Sequence, residues 1–153
     1  MALGARRWVV KNAVIGLGIP LMLGPAPLTG EAWRWVVTLA VSAFFLIPVQ
    51  DLRDLHGDAA TGRTTFPLAF GEPFTRTFLC VGFVLLPFAD HFLIIRASTG
   101  DAKAWIAETV TAALCWTIAW RVPRRRNSAY DQGTYRRFEY WYAAIVVAAS
   151  ITL

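Results

Sequence analysis

The chain has 153 residues, of which 56% are hydrophobic and only 16% charged, with a mean hydropathy of +0.47; this excludes an ordinary soluble domain and points to a membrane protein of about one domain in length. A net charge of +5 does not make it a nucleic-acid reader. Its basic residues are parcelled out between apolar runs, which is the pattern of membrane orientation rather than of a phosphate-reading face.

Taken in order, the chain shows five apolar segments, at 8–28, 35–49, 74–95, 104–120 and 138–153. Their lengths lie near the roughly 17–25 residues that a spanning helix needs, the second and fifth being short. Period-2 alternation is absent, so helices are expected rather than barrel strands. Arg6 and Arg7 precede the first segment, and Lys11 and Asn12 fall within its first turns, interrupting what would be the apolar region of a cleaved signal peptide. Gly24-Pro25-Ala26-Pro27 and Thr29-Gly30 supply the turn that ends it, and Ser98-Thr99-Gly100-Asp101 joins the third segment to the fourth. Cys80 and Cys115 lie inside apolar runs without CxxC spacing and read as buried, inert thiols. Glu108 stands about a turn inside the fourth segment and reads as structural, and the adjacent Asp90 and His91 read as a buried hydrogen-bonded pair. Tyr130, Tyr135, Tyr140, Trp141 and Tyr142 are expected to form an interfacial belt, and Arg121 to Arg126 a topological anchor with some attraction to anionic lipid. With the amino terminus cytoplasmic, twelve of the 15 basic residues fall on the inside, leaving Arg34, Arg96 and Lys103 outside.

Between the second and third segments stands the most polar stretch of the chain, Gln50-Asp51-Leu52-Arg53-Asp54-Leu55-His56-Gly57-Asp58-Ala59-Ala60-Thr61-Gly62-Arg63. Asp51, Asp54 and Asp58 are spaced i, i+3 and i+7, which on one helix, at about 100° per residue, confines them to an arc of roughly 60°. Acids so crowded repel and raise one another's pKa, and a cation between them relieves this. Carboxylate oxygens are hard ligands, and Mg²⁺ takes one or two of them together with phosphate oxygens and water. Gly57 and Gly62 permit a tight backbone path, while Arg53 and Arg63 add charge suited to phosphate. The alternative is a solvated acidic helix end.

The run DLRDLHGDAATGRTTFPLAFG resembles the second aspartate-rich motif of the UbiA-type intramembrane prenyltransferases, D-x-x-D-x-x-G-D-x-x-x-G followed by Thr, Pro and Gly. His56 stands where many members have Glu. The resemblance implies an all-α, polytopic helix bundle similar to the later five helices of a nine-helix fold, making residues 1–153 a single, apparently partial domain. It implies transfer of a prenyl group from a polyprenyl diphosphate to an aromatic or other lipophilic acceptor. Mg²⁺ would be held by Asp51, Asp54 and Asp58, which carry the catalytic role. Lys11 matches a lysine that members carry at the start of the corresponding helix and, with Arg53 and Arg63, would meet the diphosphate; snorkelling to the interface is the competing reading for Lys11. The charge bias puts the aspartate motif on the cytoplasmic side, where prenyl diphosphates are made.

The family's first motif, N-D-x-x-D-x-x-x-D, does not occur in this sequence. A missing amino-terminal half is therefore an expected partner. A non-catalytic subunit or remnant is one rival reading, and a UbiA-type terpene cyclase is another. A CDP-alcohol phosphotransferase fits poorly, because Leu55 follows Asp54 where that family requires Gly.

Overall fold

A computed structural model describes residues 29–94, 101–125 and 127–152, and among these residues there is no strand. Seven helices follow in order: α1 (Gly30–Leu46), α2 (Pro48–Arg53), α3 (Leu55–Ala60), α4 (Phe66–Phe70), α5 (Glu72–Leu93), α6 (Ala102–Arg121) and α7 (Ser128–Thr152). The all-helical expectation holds. Four of the five expected spans correspond to α1, α5, α6 and α7, and the segment 8–28 lies outside the described residues. Gly30–Arg53 and Glu72–Leu93 are long and apolar enough to cross a membrane. Helices α6 and α7 have 20 and 25 residues but more polar sequences.

Local chemistry sets the helix boundaries. The Thr29 hydroxyl accepts from the Ala32 amide at 3.2 Å and caps α1. Pro48, which lacks an N–H, opens α2 immediately after Ile47. Helix α3 ends in a Schellman turn: the Arg63 amide reaches the Asp58 carbonyl at 2.9 Å and the Gly62 amide that of Ala59 at 3.3 Å, with Gly62 at φ 65°. Gly71, at φ 90°, separates α4 from α5 in a conformation an L side chain resists. The Asp101 carboxylate caps α6 through the Lys103 amide, and the Asn127 side chain accepts from the Tyr130 amide at 2.8 Å to start α7.

The three long helices after the motif pack in sequence, α5 on α6 and α6 on α7; α1 packs on α5, and α2 returns across to α7. Leu79, Phe83, Ile118, Trp141 and Ile145 are completely enclosed at their meeting line. Trp141 is thus a core residue rather than part of an interfacial belt, whereas Tyr140 is exposed. Four phenylalanines, Phe66, Phe70, Phe74 and Phe78, stack along one another at 4.7–6.2 Å and fix short α4 against α5. Outside the core, Trp120, Ile106, Phe92 and Leu85 are each more than half exposed, a surface suited to hydrocarbon rather than water.

Helix α1 packs tightly on α5 at Gly82, where an added Cβ would lie 2.6 Å from Leu46 Cδ2. Leu46 is 4% exposed, so its side chain must shift within the packed interface to make space. Gly82→Val is therefore expected to destabilise the protein by about 1–3 kcal/mol through overpacking, read as a lower thermal midpoint in detergent. An unchanged midpoint would show that α1 can slide away from α5 at no cost.

Candidate active site

The aspartate stretch does not form one continuous helix. It is broken at Asp54 (φ −97°, ψ 7°), so Asp51 belongs to α2, Asp54 is the junction and Asp58 belongs to α3. The single-face arc expected from spacing fails because Asp is a poor interior helix former and a good junction residue; its carbonyl receives the Asp58 amide at 2.9 Å and starts the next helix.

Burial separates the three acids. Asp51 and Asp58 are 2% and 7% exposed, while the Asp54 side chain is 47% exposed. Arg53 grips Asp54 with both arms of its guanidinium, Nε donating to Oδ1 at 2.8 Å and Nη2 to Oδ2. The same guanidinium lies 4.7 Å above the ring of Tyr135 on α7, a cation–π contact that turns it toward the bundle. Tyr135 precedes the apolar part of α7, and burial, reinforced by the Glu139 carboxylate, pushes its phenol above the ordinary value. Arg63 stands 3.6 Å from Asp58, with 75% of its side chain exposed, and is the more available of the two cations. Lys11 lies outside the described residues.

The oxygen donors fit Mg²⁺ in its phosphate-assisted mode, in which one or two carboxylates suffice and the ligand and water complete the shell. A site built from protein side chains alone is not present: among the described residues, no three His, Cys, Asp or Glu side chains gather closely enough to hold a metal. Thr65, two residues past Arg63, has a buried hydroxyl with no hydrogen-bond partner among the described residues. It is a polar group that a ligand oxygen can satisfy.

Against the other side of the motif lies a cleft of about 110 Å³, where Leu52, Leu55 and His56 face Glu72 and Arg76 of α5 and Arg125 and Asp131 near the α6–α7 turn. Its wall is a buried ion-pair network. Arg76 donates to both Asp131 oxygens at 3.1 and 2.7 Å, to Glu72 at 2.7 Å and to the Val122 carbonyl at the end of α6 at 2.7 Å. Arg125 reaches the same Glu72 at 3.4 Å. Sequence reasoning missed this network, because Arg76 and Asp131 are 55 residues apart and no local pattern joins them.

At the opposite end of the bundle, His91 pairs with Glu108 across α5 and α6, Nδ1 to Oε1 at 2.7 Å. The partner of His91 is therefore Glu108, not its neighbour Asp90, which is buried. Adjacent residues on a helix point about 100° apart, which disfavours the pairing expected from sequence. Of the two thiols, Cys115 is buried as expected, but Cys80 is only half-buried.

Comparison with known proteins follows the same lines. The chain matches the model of the UbiA prenyltransferase family over residues 3–148. It is 44% identical to Somaliensene A/B synthase of Streptomyces somaliensis across 97% of its own length and 51% of that protein. It is 32% identical to Diterpene cyclase eriG of Hericium erinaceus, covering 82% of the chain and 39% of the relative. Polyprenyl transferase eriF of the same fungus is 35% identical, over 67% of the chain and 33% of the relative. The chain thus spans about half, or less, of the length of these relatives. No solved structure matches it.

Proposed function

The chain belongs to the UbiA prenyltransferase family, and from that premise we propose that it binds a prenyl diphosphate in the membrane and helps to expel the diphosphate with Mg²⁺. The observation that carries the reading is the burial of Asp51 and Asp58 in one broken helical stretch, with Arg63 3.6 Å from Asp58, at one end of two apolar spans. Bound Mg²⁺ neutralises diphosphate charge and stabilises it as a leaving group. Asp51 and Asp58 hold the metal–diphosphate complex, Asp54 supports them from the rim, and Arg63 and Arg53 compensate the remaining negative charge. Lys11 is proposed to meet the same diphosphate. A second acidic cluster, supplied by an amino-terminal half, completes the site.

The allylic cation left behind has two fates. Attack by an aromatic or other lipophilic acceptor, which then loses a proton, gives prenyl transfer, the reading drawn from the motif. Attack by the prenyl chain's own double bonds, followed by loss of a proton from the cyclised cation, gives a terpene, and two of the relatives, one of them 44% identical over 97% of this protein, are named a synthase and a cyclase. Cyclisation is therefore the better supported fate.

The deciding experiment incubates the purified protein with a radiolabelled prenyl diphosphate and Mg²⁺, with and without an aromatic acceptor and a co-expressed amino-terminal half of a relative. Hydrocarbon product formed without acceptor is the expected result. Product that appears only with acceptor would return the assignment to prenyl transfer, and diphosphate retained under every condition would remove the enzyme reading altogether.

Orientation gives a further expectation. The motif is proposed to face the cytoplasm, on the strength of the basic-residue bias. Ala60 is exposed beside it, so Ala60→Cys is expected to react with a membrane-impermeant maleimide only after the cells are opened. Strong labelling of intact cells would reverse the topology.

A further inference from the structure

We propose that the face between α5 and α6 binds an anionic phospholipid of the surrounding bilayer, with its phosphate on Arg124 and Arg125 and an acyl chain along the groove above them. Two grooves, of about 520 and 510 Å³, share Cys80 and Pro123. The first runs up the bundle between Val84 on α5 and Ala119, Trp116 and Trp120 on α6, and its mouth is Arg124. The second passes Pro73 and Thr77 and opens at Arg125. One end is basic and the rest is apolar, which is the complement of an amphiphile with an anionic head.

The arginines are placed for this. Arg124 lies 3.5 Å above the ring of Trp120, itself 68% exposed, and donates one bond to the Trp120 carbonyl. A guanidinium has five donors in a fixed fork, so most of its capacity for phosphate remains. No carboxylate pairs with Arg124 among the described residues. Arg125 shares Glu72 at 3.4 Å with Arg76, which lies closer at 2.7 Å, and its side chain is 55% exposed. The positive charge at this corner is thus only partly compensated. An exposed Trp in the last turn of a helix with Arg just beyond its end forms the arrangement that interfacial lipid recognition uses.

This face adjoins the cleft beside the aspartate motif at its basic end, where Arg76 and Arg125 line both, and otherwise runs away from it. At about 100° per residue, the α5 positions Pro73, Thr77, Cys80 and Val84 point roughly 180° away from Gly82, Leu86 and Ala89, which face α1. A lipid here braces α5 against α6 from the outside without entering the diphosphate site, and failure of this proposal leaves the proposed function untouched.

Cys80 provides the readout, because it is half-buried in the groove while Cys115 is fully enclosed. The whole chain is reconstituted in vesicles of phosphatidylcholine, alone or mixed with phosphatidylglycerol, and alkylation of Cys80 by a lipid-soluble maleimide is timed, with Cys80→Ala as the blank. Phosphatidylglycerol is expected to slow the reaction about tenfold. The double variant R124Q/R125Q, with both changes at the surface, is expected to bind the lipid roughly thirtyfold more weakly and to lose the protection. Quenching of tryptophan fluorescence by a brominated phosphatidylglycerol, stronger than by brominated phosphatidylcholine, gives the same answer without any variant. Equal protection by both lipids would overturn the proposal in favour of general bilayer shielding. Protection by a prenyl diphosphate as strong as by phosphatidylglycerol would overturn it in favour of a substrate groove, and protection undiminished in R124Q/R125Q would show that the arginines hold no headgroup.

Discussion

Replacing Arg76 with methionine is expected to cost about 3–5 kcal/mol of stability, the largest effect of any single change outside the motif. The loss comes less from the missing bonds than from what remains behind. Asp131 is 6% exposed, and without Arg76 its carboxylate would be left nearly buried without the guanidinium that pairs with it. The Val122 carbonyl at the end of α6 would lose its donor at the same time. If this account is right, the double variant Arg76→Met with Asp131→Leu recovers most of the loss, since no buried charge is left over. Glu72 would still have Arg125. Thermal unfolding in detergent measures both variants; a double variant as unstable as the single one would mean that Arg76 acts through packing and not through charge.

The second large effect concerns the acids, whose environments rank them. Asp51→Asn and Asp58→Asn each remove a nearly buried charge from the proposed metal–diphosphate complex and are expected to lower turnover by about 10²–10³, the scale of losing one preorganised electrostatic group. Asp54 is half exposed and already paired with Arg53, so solvent screens it and Asp54→Asn is expected to lose several times less. Binding separates this from a folding defect. Isothermal titration with a non-hydrolysable thio-analogue of a prenyl diphosphate should show affinity that requires Mg²⁺ in the wild type and is weakened in the order Asp51 and Asp58 before Asp54. Equal affinity in excess chelator, or the reverse order, would remove these residues from the metal site.

The motif's identity was legible because its chemistry is local. Three acids, two glycines and two arginines within fourteen residues need no tertiary information to be noticed. The same locality explains the one error in its geometry. Spacing alone treats the stretch as an ideal helix, and it cannot register that Asp54 prefers a junction or that Arg53 is drawn across to Tyr135 on α7. The apolar runs similarly foretold α1, α5, α6 and α7, because burying or bathing a helix in hydrocarbon demands length and apolarity that composition displays directly.

Pairing between distant helices was decided by the tertiary structure alone. His91 with Glu108, Arg76 with Asp131, and the enclosure of Trp141 in place of a position in an aromatic belt all depend on which faces of α5, α6 and α7 meet. A helix repeats its faces every 3.6 residues, so sequence shows which residues share a face but not which face turns inward when nearly all of them are apolar. In a soluble protein, polarity marks the outer side. Here lipid and core ask for the same side chains, and the choice between them falls to close packing, as where Gly82 admits Leu46, and to the few buried charges that must find one another.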